Sequence, residues 1–131
     1  MDSEPPRESC KILVVDDNID AADSVVALLD TYGYEACAVY NGAEAVLLAE
    51  LLHPVLVLLD LDMPEVSGFE IAACIRALAQ PENPKLVALT GRGSDADRVL
   101  TSAAGFDLHV RKPIACEQLR QLGEWAYRKS A

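Results

Sequence analysis

Five short apolar runs punctuate the chain: "KILVVDD" at 11–17, "YEACAVY" at 34–40, "PVLVLLD" at 54–60, "KLVALTG" at 85–91 and "DLHVRKP" at 107–113. The third is hydrocarbon at every position before its final Asp, the pattern of a central parallel strand covered on both faces. The fifth is short and polar, which suits an edge. Between the runs the apolar residues recur at helical spacing. Val25, Leu28, Leu29 and Tyr32 form one stripe, stopped by Gly33; Ala45, Leu48, Ala49 and Leu52 form another, ended at His53-Pro54. Ile71, Cys74, Ile75 and Leu78 make a third, opened by the capping-box pattern Ser67-Gly68-Phe69-Glu70. A weaker, Ala-containing helix is predicted over 94–104, ending at Gly105. The last helix is marked by Leu119, Leu122 and Ala126, with Gly123 as an internal flaw worth roughly 1 kcal/mol.

Strict (βα)5 alternation predicts an α/β fold: a doubly wound parallel five-stranded sheet with right-handed crossovers and helices on both faces. The flavodoxin-like order 2-1-3-4-5 is the common solution at this size, and it places ligands beyond the carboxyl ends of the strands, beside strands one and three. The 131 residues suit one core. Residues 1–9, polar and Pro-rich, read as a flexible tail, and 10–131 as a single domain with no output domain attached. A formal charge of −10 argues against nucleic acid or an anionic membrane as direct partner. No apolar run is long enough to cross a bilayer, and the expected location is cytoplasmic. Cys10, Cys37, Cys74 and Cys116 show no C-x-x-C spacing and are expected to be buried reduced thiols.

The residues that end the runs form a pattern of their own. Strand one delivers Asp16-Asp17, strand three Asp60 with Asp62 beyond, strand four Thr90-Gly91, and strand five Lys112-Pro113. Each alone has a plain explanation; an Asp after a strand is often the N-cap of the next helix. Together they place carboxylates, a hydroxyl and an ammonium on one rim. Two carboxylates about 4 Å apart repel by roughly 4 kcal/mol at an effective dielectric of 20, and one Lys cannot balance three of them. A hard divalent cation can: Mg2+, with Mn2+ or Ca2+ as alternatives. Such a site is equipped for phosphoryl transfer to a carboxylate, and Asp60, leaving the most buried strand, is the best-placed nucleophile.

At these motifs the chain resembles the receiver domain of two-component response regulators. "LVVDDN" resembles that family's acidic pair, "LLDLDMPEVSGFE" its phospho-acceptor strand and loop, "ALTG" its Thr-plus-small motif, and "GFDLHVRKP" its Lys-Pro strand, most like receivers that stand alone or work beside hybrid histidine kinases. The likeness covers roughly 10–129.

The resemblance implies that Asp60 accepts a phosphoryl group from a histidine kinase or histidine phosphotransfer protein. Asp17 and Asp60 would bind Mg2+ through their side chains, Asp62 through its backbone carbonyl, and Asp16 through the metal's water shell. Lys112 would pair with Asp60, Thr90 would move toward the phosphoryl group, and the Lys112-Pro113 bond would be cis. The face built by the 94–104 helix, strand five and the last helix would repack for a downstream protein. His109 stands where the family usually has the Tyr or Phe that reports this switch, a departure from its pattern. Asp62 and Arg92 would flank the pocket mouth and tune the acyl-phosphate lifetime. Kinase specificity is expected on helix one and the loop after strand five. The resemblance describes a regulator that promotes only its own phosphorylation and dephosphorylation, not an enzyme acting on other substrates.

Two rival readings use the same residues. "DLDMP" is also similar to the D-x-D motif of haloacid-dehalogenase-type phosphatases, but there the motif lies on the first strand and the metal-binding acids come last. A non-phosphorylated interaction module with a relic pocket is the other, against which the intact Asp16, Asp17, Asp60, Thr90 and Lys112 argue.

Overall fold

The computed structural model describes residues 10–63, 67–78, 83–91 and 103–128. Five strands, β1 (Ile12–Val15), β2 (Ala36–Val39), β3 (Leu56–Asp60), β4 (Lys85–Thr90) and β5 (Leu108–Arg111), form one parallel sheet in the order β2-β1-β3-β4-β5. The helices among the described residues are α1 (Ile19–Thr31), α2 (Gly42–Leu52), α3 (Gly68–Arg76) and α4 (Cys116–Arg128). Most of the helix expected over 94–104 lies outside the described residues, as do the 1–9 tail and Arg92.

Side-chain alternation along the strands divides the core in two. Leu13, Val15, Val57, Leu59, Leu86 and Ala88 point to one face and pack with Leu48, Ala49 and Leu52 of α2 and Ile71, Ala72 and Ile75 of α3. Ile12, Val14, Leu56, Leu58, Val87 and Leu89 point to the other, where Ala22 and Leu29 of α1 meet Leu119, Leu122 and Ala126 of α4. This two-sided burial is why β3 carries no polar residue before Asp60: every one of its five positions is buried.

Three expectations need correction. Cys74 is exposed, so the buried stripe of α3 runs through Ala72 instead. The thiols are not all buried and reduced: Cys116 is exposed as well, and Cys10 is bonded to Cys37. The Cα atoms of Cys10, two residues before β1, and Cys37, on β2, lie 5.9 Å apart, within reach of a disulfide, although the two are 27 residues apart in sequence. Gly123 is not a flaw. A Cβ there would lie 2.5 Å and 2.7 Å from the Tyr34 ring, which stacks on Tyr127 with centroids 5.2 Å apart. The Gly lets an aromatic pair close the bottom of the α1–α4 layer. Gly123→Ala is therefore expected to destabilise the fold by about 1–3 kcal/mol through overpacking, although helix propensity alone favours Ala by about 1 kcal/mol. Urea denaturation followed by circular dichroism checks the sign; a stabilised variant would show that Tyr34 moves aside freely.

Arg76, at the end of α3, ties the entries of β4 and β5 together. Its guanidinium donates to the Pro84 carbonyl (2.8 Å), to the Gly105 carbonyl through Nε (2.9 Å) and Nη2 (2.7 Å), and to Asp107 Oδ2 (2.7 Å). The same Asp107 oxygen accepts the Leu86 N–H at 2.8 Å. The planar fork of Arg suits several acceptors held at fixed angles.

Candidate phosphoryl-acceptor site

The acidic residues at the strand ends are not helix caps. Asn18 caps α1, its side chain accepting the Ala21 N–H at 3.0 Å, and Ser67 caps α3. That leaves Asp16, Asp17 and Asp60 to face one another, with a carboxylate oxygen from each lying within 4.8 Å of the others. Asp16 and Asp60 are buried and Asp17 is exposed. The backbone fixes their places. Asp16 N–H donates to the Val39 carbonyl and Leu61 N–H to the Leu89 carbonyl, so both segments stay on the sheet one residue past their strands. Gly68, at the start of α3, packs against the end of β3: a Cβ there would meet Leu61 Cδ2 at 2.5 Å.

Lys112 Nζ donates to Asp60 Oδ1 at 2.9 Å, and the Asp62 backbone N–H donates to the same oxygen at 2.9 Å. Lys112 continues the ladder through its own N–H to the Thr90 carbonyl, 2.8 Å, and the Lys112-Pro113 bond is cis. Thr90 is buried at the end of β4. Burial and then the hydrogen bond and charge of Asp60 push the Asp16 carboxyl up to about 6, against the opposing pull of the Asn18 N–H and of Lys112. Partial burial lowers the Lys112 ammonium, but Asp60, then Asp62 and Asp16, outweigh it and hold it above the usual lysine range. The cluster has more negative charge than its one ammonium neutralises, and its donors are all hard oxygens. Both properties fit a small divalent cation.

Sequence reasoning missed one contact. The Asp62 side chain does not merely flank the mouth: its Oδ2 accepts the Gly91 N–H at 2.8 Å and lies 3.4 Å from Lys112 Nζ. Nothing in the sequence marks this contact, since any non-Pro residue after Thr90 would offer the same backbone N–H. His109 sits half-buried on β5 with Ala88 as its register partner, two positions before the Thr90–Arg111 pair. Beside Asp16 and Lys112 a groove of about 500 Å³ opens between Val25 and Leu28 of α1 and Pro113 and Ile114.

A five-stranded parallel sheet in this order, with acids at the switch point, defines the class. Residues 12–123 match the family described as response regulator receiver domain. The chain belongs to that family. It is 31% identical over 109 residues to the DNA-binding response regulator MtrA of Mycolicibacterium paratuberculosis, covering 83% of this chain and 47% of that protein. The chain thus spans about half the length of that curated relative. Among solved structures, the chemotaxis protein CheY4 of Vibrio cholerae superposes with a TM-score of 0.82 at 27% identity, covering 89% of this chain and 98% of that one. A CheY-like receiver domain protein from Methanospirillum hungatei gives 0.79 at 25% identity, covering 92% and 96%.

Proposed function

We propose that this receiver domain is a phospho-accepting signalling switch whose acceptor is Asp60. The observation that carries the reading is the convergence of three carboxylates within 4.8 Å, one of them buried and held by Lys112 at 2.9 Å. Lys112 Nζ and the Asp62 N–H both donate to Asp60 Oδ1, and Oδ2 is the oxygen assigned to attack on phosphorus. The donor is a phosphohistidine on a histidine kinase or phosphotransfer protein: an Oδ2–P bond forms, the P–N bond breaks, and the imidazole keeps the electron pair. The partner seats on α1 and the Pro113-Ile114 loop, where the apolar groove opens beside the acceptor. Membership of a family of signalling domains supports this reading.

Asp16, Asp17, Asp60 and the Asp62 carbonyl would hold Mg2+, or Mn2+ in its place. Bound there, the ion supplies positive charge to the oxygens of the transferring group. Lys112 donates to the same oxygens, and the Thr90 hydroxyl is the further donor at the end of β4. Phosphorylation adds a charge of about −2. The response passes through Thr90 to the β5–α4 edge, with His109 as its reporter, and a downstream protein reads that edge. The domain promotes only its own phosphorylation and dephosphorylation. It works in the cytoplasm; no helix among the described residues is long and apolar enough to cross a membrane.

Intact-mass spectrometry after incubation with acetyl phosphate tests the proposal. One phosphoryl adduct is expected with Mg2+ and none with EDTA. An absent adduct with acetyl phosphate and also with a phosphohistidine donor would leave an interaction module with an inert pocket.

A further inference from the structure

We propose that the Asp62 carboxylate is a built-in anionic occupant of the acceptor site, holding the donors that an incoming phosphoryl group must take. The inference rests on the reading of Asp60 as phospho-acceptor and adds a resting-state brake to it.

The geometry is specific. The Asp62 backbone is fixed, because its N–H donates to Asp60 Oδ1 at 2.9 Å. Its side chain then turns across the site to the end of β4. There a single oxygen, Oδ2, accepts the Gly91 N–H at 2.8 Å and lies 3.4 Å from Lys112 Nζ. The same ammonium donates to Asp60 Oδ1 at 2.9 Å. An anionic oxygen is therefore already placed between an ammonium and a backbone N–H, next to the nucleophile, and both of those groups are donors of the kind that bind phosphoryl oxygens.

Two further features make Asp62 displaceable rather than structural. Its side chain is 36% exposed, against 4% for Asp60, so it has solvent to move into. Among the described residues it is held by contacts a more highly charged anion can outcompete: one N–H and a share in an ammonium whose shorter contact is to Asp60. A tetrahedral dianion on Asp60 offers three oxygens to the same donors. Asp62 thus sets a threshold. Weakly bound anions meet an occupied, negatively charged site, and a phosphoryl group delivered covalently releases Asp62 toward solvent.

The test uses beryllofluoride, which forms a tetrahedral phosphoryl mimic on a carboxylate, added to the full chain with Mg2+. Asp62→Asn and Asp62→Ala are expected to bind it about tenfold more tightly than wild type, equivalent to about 1.4 kcal/mol. The gain should persist in ~1 M KCl, where the Debye length is about 3 Å and a general charge effect is screened out. The Gly91 amide proton supplies a second readout by NMR. Before beryllofluoride it should resonate downfield in wild type and upfield in Asp62→Ala, and after addition the two should converge. Equal or weaker affinity in both variants, or a Gly91 resonance indifferent to residue 62, overturns the proposal alone. Failure of wild type and both variants to take up beryllofluoride overturns the acceptor reading together with it.

Discussion

Asp60→Asn is expected to abolish the acetyl-phosphate adduct completely while leaving the domain at least as stable as wild type. The two halves of this result come from different atoms. Asn has no anionic oxygen to attack phosphorus, so the acyl phosphate cannot form. Its Oδ1 can still accept the Lys112 ammonium and the Asp62 N–H, the two donors that Asp60 Oδ1 holds at 2.9 Å each. Its NH2 can donate to Asp16, which already shares a hydrogen bond with residue 60 and is pushed up to about 6 by burial and by that neighbour. Removing one negative charge from a cluster of three carboxylates relieves repulsion of a few kcal/mol at most, of the order of the roughly 4 kcal/mol expected for unit charges about 4 Å apart at an effective dielectric of 20. The loss of the full ion pair with Lys112 offsets part of that gain. Intact-mass spectrometry reads the first half and thermal denaturation in EDTA the second. An adduct formed at the wild-type rate would move the acceptor elsewhere, and a large loss of stability would mean that the Asp60 charge is needed to hold the strand ends together.

Much of this arrangement was legible in the residues, and the reasons are physical. β3 could be placed at the centre because only a strand covered on both faces can be hydrocarbon at every position up to Asp60. The site was visible because parallel order brings strand ends together, so residues that end the runs become neighbours however far apart they lie in sequence. Caps settled what spacing left open: once Asn18 and Ser67 take the helix N-termini, Asp16 and Asp60 have no capping role. What stayed hidden depends on side-chain reach across elements. Asp62 bridging to Gly91, Gly123 making room for Tyr34, and the Cys10–Cys37 bond all join residues 27 or more positions apart, and none leaves a periodic trace. Cys74 misled for the opposite reason. It sits at helical spacing with Ile71 and Ile75, but a sulfur-bearing side chain reads as apolar whether the helix buries it or, as here, turns it to solvent.

Lys112→Met separates electrostatic from chemical roles in the site, because the two should move in opposite directions. Met keeps most of the hydrocarbon length that packs against the sheet end and removes the charge. Phosphorylation by acetyl phosphate is expected to slow by about 100-fold, the usual loss when one preorganised donor is taken from oxygens that gain charge in the transition state. Mg2+ should bind about tenfold more tightly, ~1.4 kcal/mol, because the cation that now competes with it for Asp60 at 2.9 Å is gone. That gain is a fraction of the roughly 4 kcal/mol exchanged by unit charges about 4 Å apart at an effective dielectric of 20, since the ion keeps much of its water. Calorimetric titration with MgCl2 gives the affinity, and a mass-spectrometric time course at saturating Mg2+ gives the rate. Tighter metal with slower phosphorylation identifies Lys112 as a group that acts on the transferring oxygens and opposes the metal at rest. Weaker metal binding alongside slower phosphorylation would mean that Lys112 mainly holds Asp60 and Asp62 in place, and that the three carboxylates do not stay together without it.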